Sequence, residues 1–259
     1  MKNKLLPITL SLLLCCSLAA CAKEPTLSVG ATENETAEAS SPPSTILQEG
    51  ADMGQSYLDS FIFLGESTTY HLKSRGVLSG GTNTRQVWGP DSGTVNLDHT
   101  VITLRIRYPD TGEYLTVGEA AARKKPKFMI LTFGLNGAVQ NVRRGKEYYK
   151  SCYRALIDAI CEASPETKVI LQSCFPVAAN MDMSHYSCTL DELNGYIDTI
   201  NGWILELAEE HDLRYLNTAE ILKDENGRLK PSYQSGDGHH LTRDAYLVIL
   251  QYIRTHGYR

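Results

Sequence analysis

Three short blocks, far apart in the chain, hold the residue types that acyl transfer needs. Gly65-Glu66-Ser67 follows one apolar run and offers a hydroxyl, and Gly134-Leu135-Asn136-Gly137 follows another and offers a carboxamide. Asp237-Gly238-His239-His240-Leu241-Thr242, near the C-terminus, offers a carboxylate and an imidazole three residues apart. A serine hydroxyl is a weak nucleophile at neutral pH and needs a base within hydrogen-bond reach. His240 is the candidate base, and it would return the proton to the leaving alcohol. Asp237 would orient the imidazole and stabilise its charged form. Asn136 can donate a side-chain N–H to the oxyanion of a tetrahedral intermediate. The backbone N–H of Ser67, at the start of a helix, is a second donor. Taken singly, each block has an ordinary use as a helix cap or a turn. Their order along the chain argues for one site.

The elements around these blocks explain how they could meet. Phe61 to Leu64 reads as a buried strand ending at Gly65, and Ser67 to Ser74 as the helix after it. Arg85–Trp88, Phe128–Phe133, Val169–Leu171 and Arg214–Leu216 read as four further strands. Helical spacing of apolar residues marks 146–163 and 190–210. A last helix carries Ala245, Tyr246, Ile249, Tyr252 and Ile253, with Thr242 as its N-cap. Strands alternating with helices predict an α/β fold with a parallel sheet covered on both faces. In such a sheet ligands bind outside the carboxyl ends of the strands. Ser67 follows the first strand, Asn136 the third and His240 the fifth. The stretch from Thr94 to Leu115 departs from this rhythm. Its β-favouring residues and the turn Pro109-Asp110-Thr111-Gly112 predict an inserted β-hairpin before a helix at 116–124.

These blocks resemble those of the SGNH hydrolases, also called the GDSL esterase and lipase family. The resemblance runs over about residues 57–256, and its most specific part is the terminal Asp-Gly-x-His-Leu-Thr. It implies a three-layer α/β/α sandwich with a five-stranded, flavodoxin-like parallel sheet. It also implies Ser67, His240 and Asp237 as catalytic residues, and an oxyanion hole of Ser67, Asn136 and a glycine from a second block. That glycine is not obvious here; Gly89, after the second strand, is the first choice and Gly112 the next. Glu66 stands where the family has aspartate, and is expected to support the loop without reacting. Gly137 stands where an aspartate often follows the asparagine, which puts one supporting hydrogen bond in doubt.

Asp-x-x-His spacing selects His240 over its neighbour His239, which is expected to be exposed or to line the cleft. His71, His99, His185, His211 and His256 suit surface or packing roles. No cluster has metal-ligand spacing, so neither metal nor cofactor is expected. Tyr70 and Trp88 are candidates to line a sugar or acyl pocket, though core packing suits Trp88 as well.

Residues 1–21 read as a leader. Lys2 and Lys4 precede a short apolar stretch, and Leu18-Ala19-Ala20-Cys21 resembles a bacterial lipobox, with Cys21 as the lipidated residue. Residues 22–50, rich in Ser, Thr, Glu, Ala and Pro, read as a flexible tether, and 51–259 as one domain. The chain is therefore expected on the extracytoplasmic face of the cell membrane, held by a lipid anchor and acting as a monomer. Its formal net charge is −5, and loss of the leader leaves 23 basic against 30 acidic residues. That balance disfavours nucleic acid as a partner. Beyond Cys21 the cysteines are Cys152, Cys161, Cys174 and Cys188; a Cys174–Cys188 disulfide is possible, and the other two suit buried helix positions.

The leading functional expectation is a serine esterase acting on an acyl ester, acetyl included, of an envelope or extracellular carbohydrate. Two alternatives remain open at this point. One is a cell-wall acyltransferase using the same triad. The other is a non-catalytic glycan-binding lipoprotein that retains the fold.

Overall fold

The structure is a computed structural model that describes residues 44–258. The leader, Cys21 and most of the expected tether lie outside the described residues. Five parallel strands form the sheet: β1 (Phe61–Gly65), β2 (Val87–Trp88), β5 (Phe128–Thr132), β6 (Lys168–Gln172) and β7 (Arg214–Leu216), in the order β2-β1-β5-β6-β7. β1, β5 and β6 are almost wholly buried, which is why they read as continuous apolar runs.

Side-chain alternation along the strands separates two cores. Ile62, Leu64, Met129, Leu131, Val169 and Leu171 face one way, toward α3 (Val117–Lys124), α5 (Lys146–Ala163) and α6 (Leu190–Glu210). Phe61, Phe63, Phe128, Ile130 and Ile170 face the other way, toward α1 (Gly54–Leu58), α2 (Ser67–Ser74) and α8 (Arg243–Thr255). The result is the expected three-layer α/β/α sandwich with a five-stranded parallel sheet. The two long helices occupy the spans that their spacing predicts. Thr242 caps α8 by accepting the N–H of Ala245 at 3.3 Å. Between the main strands and helices lie the shorter α4 (Ala138–Arg144) and α7 (Ala219–Leu222).

Two expectations need correction. The inserted hairpin is much smaller than 94–115: only β3 (Arg105–Arg107) and β4 (Tyr114–Thr116) pair, antiparallel. The residues before it turn back on themselves, with the N–H groups of Thr103 and Leu104 both donating to the Thr100 carbonyl. Val95, Leu97 and Val101 are buried as a plug over the first core. Their β-favouring side chains are used for packing, not for a ladder. The folded unit also begins earlier than residue 51. The chain at 45–47 runs alongside β7: Tyr215 N–H donates to the Thr45 carbonyl at 2.8 Å, and Leu47 N–H to the Tyr215 carbonyl at 2.9 Å. Leu47 then enters the second core at 5% exposure. The last residues of the expected tether thus cover the edge of β7.

All four described cysteines are free thiols, so Cys174 and Cys188 are not bridged. Cys174 is buried and its thiol donates to the Phe133 carbonyl.

Leu47→Ala tests the extended boundary. It should destabilise the domain by roughly 2–5 kcal/mol in urea unfolding, the usual cost of a buried Leu-to-Ala change. A loss under about 0.5 kcal/mol would mean that this segment is not part of the core.

Candidate functional site

The site forms where β1 and β5 end side by side. Gly65 is required there by close approach. A Cβ on it would lie 2.4 Å from both the Thr132 carbonyl oxygen and the Thr69 hydroxyl. The next residue, Glu66, has an extended backbone and precedes the first turn of α2. Its side chain crosses to the neighbouring strand end and is 2% exposed. One carboxylate oxygen accepts the N–H of Gly134 at 2.8 Å and the other that of Asn136 at 3.0 Å. Burial pushes the Glu66 carboxyl up to about 7, against these N–H groups, which favour its ionised form. Glu66 is thus a support and not a reacting group, as its position beside the serine suggests.

Ser67 comes next, as the first residue of α2, so its N–H has no acceptor within the helix. The Ser67 hydroxyl lies 2.9 Å from His240 Nε2, and His240 Nδ1 lies 2.7 Å from Asp237 Oδ2. Asp237 is fixed by its other oxygen, which accepts the backbone N–H groups of His239 at 3.1 Å and His240 at 2.9 Å. Burial opposes ionisation of Asp237. The His240 N–H groups and the His239 backbone N–H outweigh it and hold the carboxyl well below the usual range. The loop is pinned in turn: Ala178 N–H, after β6, donates to the Gly238 carbonyl at 2.7 Å. The buried Tyr246 on α8 donates its hydroxyl to the Thr68 carbonyl at 2.6 Å, tying α8 to the first turn of α2.

Asn136 is held by residues that spacing does not reveal. Its side-chain N–H groups donate to Thr94 Oγ1 and Asn96 Oδ1, each at 3.2 Å. Both acceptors belong to the loop after β2, whose Val95 N–H donates to the Gly65 carbonyl at 3.2 Å. Gly137 lies at φ +71 and opens α4, a left-handed conformation that an aspartate would adopt only with strain.

Gly89 directly follows β2 and lines the same groove as Tyr70. Its carbonyl accepts Arg107 N–H at 3.0 Å, which turns it toward the hairpin, and Gly112 lies in the hairpin turn itself. Among the described residues neither glycine hydrogen-bonds to Ser67, Asn136 or His240. Gly93 directly precedes Thr94, in the turn closed by its N–H to the Pro90 carbonyl and packed against the Tyr70 ring. A short loop with several glycines near one strand end gives a sequence reading no way to choose among them.

His71 and His239 flank the relay. Their ring centroids lie 4.4 and 4.0 Å from that of His240. Burial first, then the charges of His240 and Arg75, push His71 down to about 4, so it stands neutral at pH 7. Its i,i+4 spacing from Ser67 was the available sign that the two share a helix face. Asp237, His239 and His240 have potential metal-ligand atoms within 4.8 Å of one another. Both ring nitrogens of His240 are nevertheless engaged, by Ser67 and Asp237. Trp88 packs in the core at 2% exposure, whereas Tyr70 is partly exposed and lines a polar groove of about 570 Å³.

Comparisons with known proteins give the family and the fold. The GDSL-like Lipase/Acylhydrolase family model matches residues 63–248, so the chain belongs to that family. No curated protein matches the chain. Solved structures share its fold. A protein provisionally described as a platelet activating factor from Streptococcus pneumonia is 19% identical, with a TM-score of 0.51, over 74% of this chain and 81% of that one. A protein provisionally described as lipolytic and of the G-D-S-L family, from Desulfitobacterium hafniense, is 15% identical at a TM-score of 0.50, over 74% and 95%. A variant acetyl-xylooligosaccharide esterase from Geobacillus Stearmophilus is 16% identical at 0.43, over 77% and 94%.

The Glu66 environment has a thermodynamic consequence. A carboxyl raised from 4.5 to about 7 on folding binds more protons in the native than in the unfolded state between those values. Its contribution to stability therefore declines as pH rises through that window, by up to roughly 3 kcal/mol. Glu66→Gln removes this titration. Denaturant unfolding at about pH 5 and pH 8 should show a smaller loss with rising pH in the variant than in the parent chain. The same loss in both would contradict the assignment.

Proposed function

We propose that this acylhydrolase is a serine esterase in which Ser67 is the nucleophile, His240 the general base and acid, and Asp237 the residue that orients His240. The observation that carries the reading is the continuous relay from Ser67 through both nitrogens of His240 to Asp237. In this reading Ser67 Oγ attacks the ester carbonyl while its proton passes to His240 Nε2. Asp237 accepts from Nδ1 and stabilises the imidazolium. The oxyanion is met by the Ser67 N–H and by the Asn136 side chain, which must share a hydrogen now held by Thr94 or Asn96. Collapse of the intermediate sends the His240 proton to the leaving alcohol, and water then releases the acyl group by the same route.

The substrate we assign is a short acyl ester, acetyl among them, on a carbohydrate of the cell envelope or its surroundings. The polar groove that begins at Tyr70, three residues after Ser67, supports a sugar alcohol better than a lipid. The lipobox and tether support a location outside the cell, on a lipid anchor at Cys21.

Short-chain aryl esters test the chemistry. Ser67→Ala and His240→Ala should each lose on the order of 10⁴-fold or more in kcat/KM, and Asn136→Ala about 10²-fold. A fluorophosphonate should label the parent chain and not Ser67→Ala. Equal rates in parent, Ser67→Ala and His240→Ala would end the proposal.

A further inference from the structure

We propose that the groove that begins at Tyr70, one turn of α2 beyond Ser67, is a subsite for an oxyanion on the alcohol portion of the substrate, selecting saccharides that bear carboxylate or phosphate groups. The inference rests on the esterase reading and extends it to the charge of the substrate. Tyr70 begins the groove. It lies three residues after Ser67, on the same face of α2 and one helical turn away. The residue is 38% exposed and its ring is backed by Gly93, where an added Cβ would lie 3.0 Å from the ring. A partly exposed aromatic ring braced from behind is a platform on which a sugar ring can stack.

Beyond Tyr70 the groove gathers cations from three separate elements: Lys73 on α2, Arg85 just before β2, and Arg107 on β3. The lining holds one acid, Asp91, which accepts the Tyr114 hydroxyl. Three cations against one acid make this patch positive on a chain whose formal net charge is −5. Among the described residues Lys73 and Arg107 make no salt bridge. Arg85 reaches Asp110 only at 3.4 Å with its side chain 69% exposed, a pairing of little strength. A single solvated surface cation calls for no ligand. Three that converge on one concavity, with two of them unpaired, form a local field suited to an anion. Two guanidinium groups add planar forks that fit carboxylate or phosphate oxygens bidentately. An acidic saccharide lying along this groove would present a neighbouring O-acyl group to Ser67.

The test compares O-acetylated oligogalacturonate with O-acetylated xylo-oligosaccharide, in the parent chain and in the double variant Lys73→Gln/Arg107→Gln. The parent should favour the acidic substrate by about tenfold or more in kcat/KM at low salt. That preference should shrink as ionic strength rises past the point where screening acts within about 10 Å. The double variant should lose most of the preference, and a preference that is absent or unchanged by the variant overturns the proposal. If 4-nitrophenyl acetate, cleaved at equal rates by parent and Ser67→Ala, shows that the esterase reading has failed, calorimetry on Ser67→Ala still decides the subsite. Unacetylated hexagalacturonate or a glycerol-phosphate oligomer should bind at least about tenfold more tightly than xylohexaose, and the tighter anion identifies the group preferred. Equal binding of charged and neutral oligomers, or none, overturns the subsite.

Discussion

A single buried carboxylate ties the two halves of the site together. Glu66 lies between the end of β1 and Ser67, yet both its oxygens are committed to backbone N–H groups of the loop that delivers Asn136. A buried acid in contact with apolar strands is costly unless its oxygens are satisfied. Here the satisfying groups are Gly134 and Asn136 themselves. The cost of burying Glu66 therefore falls directly on any conformation in which the two strand ends move apart.

The remainder of the fold serves the same edge. The parallel sheet brings the carboxyl ends of β1, β5 and β6 to one side, and each end is anchored by a different buried group. Tyr149 donates to the Phe133 carbonyl, Asn201 brackets Cys174 through both its amide atoms, and Tyr246 holds α8 against the first turn of α2. The Asp237 loop thus arrives from the far end of the chain onto a platform that is already rigid. Catalytic geometry has to be held to within fractions of an ångström, and packed secondary structure does this better than free loops.

Much of this was legible before any coordinates. Apolar runs that end in glycine revealed β1 and β5, helical spacing bounded α5 and α6, and Asp-x-x-His spacing separated His240 from His239. What escaped the sequence has one physical character. The loop from Thr94 to Leu104 carries β-favouring residues whose role is to plug a core, and neither propensity nor period distinguishes a buried loop from a strand. Two of its polar members, Thr94 and Asn96, meet Asn136 only through the fold, some forty residues away in the chain. The segment at 45–47 is too short, and too close to a tether of polar composition, to declare itself a partner of β7. Local signals mark elements, whereas contacts between elements have to be seen.

The central claim, that Glu66 makes the serine and asparagine loops one unit, is tested most directly by a double-mutant cycle on kcat. The cycle compares Glu66→Gln, Asn136→Ala and the double variant with the parent chain, using one short-chain aryl ester. If Glu66 acts by placing Asn136, the second substitution adds little once the first is made, and the coupling energy exceeds about 1 kcal/mol. Additive effects, with coupling under about 0.3 kcal/mol, would show that Glu66 acts independently of Asn136 and would contradict the account.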